Sequence, residues 1–211
     1  MNKLKALVGL NLIGDIGSIR LRSLLGYFAK IEDIFTAPQG RLSAVYGIGP
    51  KIAARISSLK EKDIDKEFAS AEKLGLRIIS EEDPGYPANL KNIPDPPVVL
   101  YVKGELKRED NLGIAIVGSR RASFYGLSNA ESFSAQLSAK GFTIISGMAR
   151  GIDTCAHRAA LKQQGRTIAV MGSGFNNIYP AENRRLAQAI AENGAVLSEF
   201  PVDTGPLKQN F

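Results

Sequence analysis

The sequence predicts an α/β protein: a Rossmann-like doubly wound parallel sheet preceded by a small all-α domain. Three observations lead there. From residue 112 onward, short continuous apolar runs alternate with segments of helical period, the pattern of parallel strands covered on both faces. Three of those runs end in glycine-rich turns, as strand-to-helix crossovers at a ligand-binding sheet edge require. Ahead of them, residues 1–78 carry apolar side chains at helical spacing, broken by short glycine turns.

Within residues 1–78 an apolar stripe begins with Leu4, Leu7, Val8, Leu10 and Leu12 and resumes with Ile19, Leu21, Leu24, Leu25 and Phe28. Two turns, Ile13-Gly14-Asp15-Ile16-Gly17 and Tyr46-Gly47-Ile48-Gly49-Pro50, are each followed by a helix bearing Arg or Lys. They read as a degenerate repeat whose second copy is the clearer. Gly47-Ile48-Gly49-Pro50-Lys51-Ile52-Ala53-Ala54 has the form of a helix-hairpin-helix unit. Pro50 opens the second helix, where its missing N–H costs nothing. Exposed amides beside Gly47 and Gly49, with Lys51 and Arg55, can hold a phosphate without reading bases. A hairpin that only packs against protein has the same shape, and both readings stand. A last helix over 62–74 should end at Gly75, a good C-cap.

Residues 79–111 change character. Asp83-Pro84-Gly85-Tyr86-Pro87 and Ile93-Pro94-Asp95-Pro96-Pro97 cannot continue a helix, and Val98-Val99-Leu100-Tyr101-Val102 is a short strand. So many large apolar residues fit an ordered proline-rich connector that packs on the next domain. Within 112–211, strands are expected at 114–117, 143–145, 167–171 and 195–197, and helices at 126–139, 152–163 and 182–192. Four strands are few for such a sheet, so we expect a piece cut within its second domain.

Composition narrows the class. The chain is 44% hydrophobic and 23% charged, which fits one large or two modest globular cores rather than disorder. No apolar run is long enough for a bilayer, and the N-terminus lacks the apolar core of a secretion signal. The single cysteine, Cys155, closes no internal disulfide and completes no cysteine metal site. These features point to a cytoplasmic protein without a membrane partner. The net charge is +6, and residues 1–80 hold 13 Lys/Arg against 8 Asp/Glu. The basic excess therefore sits in the first third and invites a polyanion, nucleic acid first, although many small domains carry as much charge without one.

The chemistry should lie at the turns Val117-Gly118-Ser119-Arg120-Arg121, Ser146-Gly147-Met148-Ala149-Arg150-Gly151 and Met171-Gly172-Ser173-Gly174-Phe175. Glycine lets a backbone approach a ligand, and helix N-termini attract anions. One such turn is better explained by chain geometry alone. Three on one edge, with Arg120, Arg121 and Arg150 on two of them, favour a phosphate-binding shelf. Phe175 or Tyr179 would stack on an unpaired base. No turn completes G-x-G-x-x-G and no phosphate loop of the G-x-x-x-x-G-K-[ST] kind occurs, so no cofactor is expected. Asp153 and His157 lie four apart on one helix with Cys155 between them, but they complete neither a zinc set nor a catalytic constellation. Asp153 is expected to cap its helix, with His157 hydrogen-bonded nearby, and neither metal nor catalytic residue is expected.

Asp83-Pro84-Gly85-Tyr86-Pro87, Ile116-Val117-Gly118-Ser119-Arg120, the second turn with Ile152-Asp153 and Ala156-His157, Gly172-Ser173-Gly174 with Ile178-Tyr179-Pro180, and Leu197-Ser198-Glu199 occur in one order and spacing. Together they resemble the DprA/Smf family of DNA-processing proteins over nearly the whole chain. The resemblance implies a non-enzymatic, single-stranded-DNA-binding protein that protects incoming DNA in natural transformation. It implies bypass of single-strand-binding protein and loading of RecA. It also implies a homodimer in the full-length protein and a helical domain of the sterile-alpha or helix-hairpin-helix type. The family's pocket arginine falls on Arg120, its turn on Gly118 and Ser119, and the neighbouring loop on residues 172–175. The family continues past Phe211 with further strands and basic residues. An alternative is a nucleotide-binding or nucleotide-hydrolysing Rossmann-like enzyme of the phosphoribohydrolase type. Its P-G-G-x-G-T loop and adjacent glutamate are not in this sequence.

Overall fold

The computed structural model describes residues 1–210; Phe211, the last residue of the expected second domain, lies outside them. The chain opens with six helices: α1 (Lys3–Asn11), α2 (Ser18–Tyr27), the short α3 (Asp33–Thr36) and α4 (Gln39–Ser43), α5 (Pro50–Ser58) and α6 (Glu61–Lys73). Their ends follow local chemistry. The Asn2 side chain accepts the Lys5 amide at 2.8 Å and starts α1. Pro50 occupies the first turn of α5. Gly75 turns left-handed (φ +66°) after α6. The Leu76 and Gly75 amides then bond back to Ala71 and Glu72, both at 2.9 Å, which closes a Schellman cap at the expected glycine.

The rest is one six-stranded sheet. β1 (Arg77–Ser80) precedes a short α7 (Ala88–Lys91), then β2 (Val99–Gly104) and β3 (Gly113–Ala115). α8 (Phe124–Ala139), β4 (Thr143–Ser146), α9 (Ile152–Lys162), β5 (Thr167–Met171), α10 (Arg184–Asn193) and β6 (Ala195–Ser198) follow. The order across the sheet is β1-β2-β6-β5-β4-β3. β3 to β6 pair in parallel as the alternating pattern predicts. The stretch read as a connector enters the sheet: β2 lies antiparallel to β6, and β1 antiparallel to β2. The expected strand at 114–117 is shorter. Only the Ile116 amide continues the ladder, to the Ile145 carbonyl at 3.0 Å, and Val117 is exposed.

Strand order decides which face each helix covers. Every parallel crossover moves one strand in the same direction, so right-handed connections bring successive helices to one face. α8, α9 and α10 pack side by side there, over Ile144, Ala169, Met171 and Val196. Val99 and Tyr101 of β2 share that side with Ala6, Leu7, Val8 and Leu10 of α1, so one apolar core runs from the helical domain into the sheet. The opposite face presents Leu100, Val102, Ile168 and Leu197, with Tyr86 buried against them. The Asp83 side chain accepts the Gly85 amide at 2.7 Å, and the Tyr86 hydroxyl donates to the Pro97 carbonyl at 2.6 Å. The Asp-Pro-Gly-Tyr-Pro motif thus folds back over that face. Burial raises the Tyr86 pKa to about 12, so the donor keeps its proton.

One ion pair closes the other end of the parallel strands. Arg166 Nε and Nη2 each donate to Asp110 at 2.8 Å. The carboxylate also accepts the Lys107 amide at 2.7 Å and the Thr143 hydroxyl at 2.8 Å. Burial opposes ionisation of Asp110, but its bonds from Arg166, Lys107 and Thr143 prevail and hold the pKa below the usual carboxylate value. Asp110→Asn should lower the unfolding free energy by about 3 kcal/mol. That is the low end for breaking a buried pair, because Arg166 keeps the Glu105 and Asn193 carbonyls. Urea denaturation at pH 7 checks this; an unchanged midpoint refutes it.

Candidate nucleic-acid interface

The three glycine turns emerge together at the carboxyl ends of β3, β4 and β5, but they are not built alike. In the first, Gly118, Ser119, Arg120 and Arg121 are all exposed. The Arg121 amide donates to the Ser119 hydroxyl at 3.1 Å. Its neighbour is the second turn. The Ile152 amide, opening α9, donates to the Ser119 carbonyl at 3.3 Å. Gly151, at φ +76°, passes so close that any Cβ would strike that carbonyl. Only glycine satisfies both demands.

The second turn is the most constrained stretch of the site. Met148, fully buried, holds φ 60°, a region that costs an ordinary side chain about 1–3 kcal/mol. Its surroundings fix it there. Buried Asn183 donates from Nδ2 to the Met148 carbonyl and to the Thr154 hydroxyl oxygen, both at 2.8 Å. The Thr154 hydroxyl donates to the Ala149 carbonyl at 2.6 Å, and Asp153 accepts the Ala149 amide at 3.2 Å. The Ser146 hydroxyl ties this turn to the first through the Ile116 carbonyl at 2.6 Å. Asp153 thus braces the loop just ahead of its helix. Of these bracing side chains, Ser146 lies in a turn the sequence singles out, whereas Thr154 and Asn183 carry no such mark. Asn183 directly before α10 was the one available sign, hidden because the helix was expected to begin at Glu182.

Arg120, Arg121, Ala149, Arg150 and Tyr179 surround a small cavity of about 170 Å³. Arg150 forms a two-pronged pair with Glu182, from Nε at 2.9 Å and Nη2 at 2.8 Å. Its guanidinium carbon lies 6.0 Å from the Tyr179 ring centre, a cation–π distance. The Glu182 hydrogen bonds raise the Arg150 pKa, and those from Arg150 lower the Glu182 pKa. Both stay charged at neutral pH. Phe124 and Tyr125, at the start of α8 just beyond Arg121, are 87% and 78% exposed.

The third turn corrects the expected shelf. Gly172, Ser173, Gly174 and Phe175 are buried, and Phe175 sits in the core at 7% exposure. The Gly174 amide donates to the Thr204 carbonyl at 2.8 Å, and a Cβ on Gly174 would strike the Pro201 and Val202 carbonyls. This glycine admits neighbouring backbone, and Phe175 is out of reach of a base. Tyr179, 41% exposed, is the aromatic of that loop that reaches the surface cavity. Gly147 is half-buried behind the second turn. In the helical domain Gly47 (φ +81°) and Gly49 are exposed with Lys51, and α5 has no side-chain cap. Arg55, however, pairs with Asp15.

His157 points away from the cavity. It is fully buried, with Nδ1 2.7 Å from the Thr167 hydroxyl oxygen. That hydroxyl donates to the Ile144 carbonyl at 2.7 Å, so Nδ1–H is the donor and the ring is neutral. Among the described residues no His, Cys, Asp and Glu group is arranged to hold a metal, and no helix is long and apolar enough to cross a membrane. Burial lowers the His157 pKa from 6.5 to about 4. Between those values the unfolded chain binds the extra proton, so stability falls as pH drops, by about 1.4 kcal/mol per unit, and levels off below pH 4. Denaturation at pH 7 and pH 5 should therefore cost the wild type about 2 kcal/mol more than a His157→Gln variant. Parallel losses in both would show that His157 does not titrate as the fold dictates.

Comparison with known proteins places the chain in a family. The family model for DNA recombination-mediator protein A matches residues 77–211, more than half of the chain. Protein Smf of Synechocystis is 36% identical over 204 residues, covering 94% of this chain and 51% of that protein. Protein Smf of Escherichia coli is 39% identical over 182 residues, covering 84% and 49%. The chain thus spans about half the length of these curated relatives. The X-ray structure of DNA processing protein A from Streptococcus pneumoniae superposes with a TM-score of 0.77 at 30% identity, covering 99% of this chain and 71% of that one. The Helicobacter pylori protein, described for its single-stranded DNA binding mode, gives 0.56 at 34% identity, covering 64% and 61%. With its sheet, its turns and the family model in agreement, the chain belongs to the DNA recombination-mediator protein A (DprA/Smf) family.

Proposed function

We propose that this chain binds single-stranded DNA in the cavity between its first two glycine turns, and that it does so without catalysis. The observation that carries the reading is the meeting of Arg120, Arg121 and Arg150 with Tyr179 at the carboxyl edge of the parallel strands. Such an edge is where open α/β sheets bind ligands. Arginine forks match phosphate oxygens, while an exposed aromatic face takes an unpaired base. Tyr179 supplies that surface, and the exposed Phe124 and Tyr125 follow Arg121 closely in sequence. A duplex hides its bases and binds less well. The Helicobacter pylori relative, described as a single-stranded DNA binder, supports the choice of ligand.

Family membership supports the wider setting. In the longer protein this is recombination work in natural transformation: protecting an incoming strand, replacing single-strand-binding protein and loading RecA. The full-length chain acts there as a cytoplasmic homodimer. The helical domain is of the sterile-alpha or helix-hairpin-helix type, with Gly47, Gly49, Lys51 and Arg55 as secondary contacts.

Fluorescence anisotropy of labelled oligo-dT across several salt concentrations tests the pocket. Arg120→Ala should weaken binding and reduce the salt slope by about 0.7, one phosphate contact on a single strand. Tyr179→Ala should weaken binding by about 1–3 kcal/mol with the slope retained. Equal affinity for duplex and single strand, untouched by either substitution, would move the site to the Gly47–Gly49 hairpin and defeat the pocket.

A further inference from the structure

The helical domain reaches the pocket from behind through one buried carboxylate. Glu67, in the middle of α6, is 6% exposed, although its helix is otherwise rich in solvent-facing charge. Its Oε1 accepts the backbone amide of Val202 at 2.7 Å. Val202 is fully buried just beyond β6. From α1, Asn11 Nδ2 donates to the Glu199 carbonyl at 3.0 Å and holds the same segment a few residues earlier.

That segment in turn holds the loop that carries Tyr179. The Gly174 amide donates to Thr204 at 2.8 Å and the Asn176 amide to the Val202 carbonyl at 3.0 Å. The Asn176 and Asn177 side chains donate to Asp203 at 2.6 and 2.9 Å. The chain of contacts runs from α6 through Val202 to residues 174–177, and so to Tyr179 beside Arg150. A buried carboxylate without its amide partner, or the amide without the carboxylate, is costly, so this link is firm.

We propose that Glu67 is a positioning residue for the DNA pocket: through Val202 it lets the helical domain set the loop of Tyr179 without touching nucleic acid. The inference rests on the pocket reading above for its functional half. It gives the helical domain a role separate from any phosphate contact at Gly47 and Gly49.

The test compares the whole chain with Glu67→Ala and Glu67→Gln, reading amide hydrogen exchange and oligo-dT affinity. In Glu67→Ala, exchange at Val202, Gly174 and Asn176 should quicken about tenfold, while the Ile56 and Ile64 amides keep their protection. Affinity for oligo-dT should fall about fivefold, the low end for coupling between sites, with the salt slope retained, unlike Arg120→Ala. Glu67→Gln should restore both, because an amide oxygen still accepts the Val202 N–H. Unchanged exchange at Gly174 and Asn176 overturns the proposal, and so does quickened exchange with unchanged affinity. If Glu67→Ala unfolds the helical domain, Asn11→Ala decides, since it frees the Glu199 carbonyl without leaving the buried Val202 amide unpaired; the same pattern at smaller amplitude supports the brace, and no change refutes it. A wild-type chain that ignores oligo-dT defeats the pocket reading, and exchange alone then judges whether Glu67 holds the loop.

Discussion

Two backbone approaches that exclude a side chain organise the carboxyl edge of this sheet. Gly151 lies against the Ser119 carbonyl, and Gly174 against those of Pro201 and Val202. Each welds a crossover turn to its neighbour: the second turn to the first, and the third to the segment after β6. The remaining features follow from that contact. Met148 enters the left-handed region because the chain must turn back within the few residues between Ser146 and Gly151. Asn183, Thr154 and Asp153 then hold it there by satisfying the carbonyls and amides that the turn leaves without a ladder partner. The arginines meet because the turns do.

This changes the meaning of the glycines. Read along the chain, three similar turns look like three copies of one anion shelf. In space the first turn exposes all its residues, the second exposes Arg150 while Gly151 locks it to the first, and the third is buried. Glycine is equally required where backbone meets ligand and where backbone meets backbone. Sequence spacing alone does not separate those uses. The parallel strands and their helices were legible because periodicity is local. The helix end at Gly75 was legible because capping is local too. The entry of β1 and β2 into the sheet was not, because pairing with β6 is a long-range choice and prolines between them mask a strand pattern. Phe175 was misplaced for a similar reason: an aromatic after a glycine turn serves a core or a ligand equally well. Glu67 gave no sign, since a glutamate within a charged helix reads as solvent-facing until a buried amide turns up opposite it.

The division of labour between the two parts also looks different once folded. The basic excess of the first third invites a polyanion at the helical domain without requiring one. Several of those cations are engaged within the chain: Lys3 with Glu82, Lys5 with Asp65, Arg22 with Glu81 and Arg55 with Asp15. Net charge still steers a polyanion at long range, but the arginines gathered around one cavity are in the sheet domain. At short range the helical domain meets the sheet domain through apolar packing of α1 on β2 and two hydrogen bonds to the chain beyond β6.

The pair between Arg150 and Glu182 holds the arginine ready yet is easily replaced. Both side chains are more than half exposed, so solvent screens the pair and little net stability rests on it. Its effect is orientation. A long, flexible arginine is held with its fork fixed and its plane near Tyr179, which reduces the entropy lost when another anion takes the fork. In the proposed pocket, a phosphate arriving between Arg120 and Arg150 would displace one exposed carboxylate, which water would then solvate at small cost. Had Glu182 been buried, the same exchange would strand a charge in the interior, and the cavity would be an interior ion-pair site rather than an open one. The exposure of that carboxylate is therefore what would let an incoming anion take the Arg150 fork in the proposed pocket.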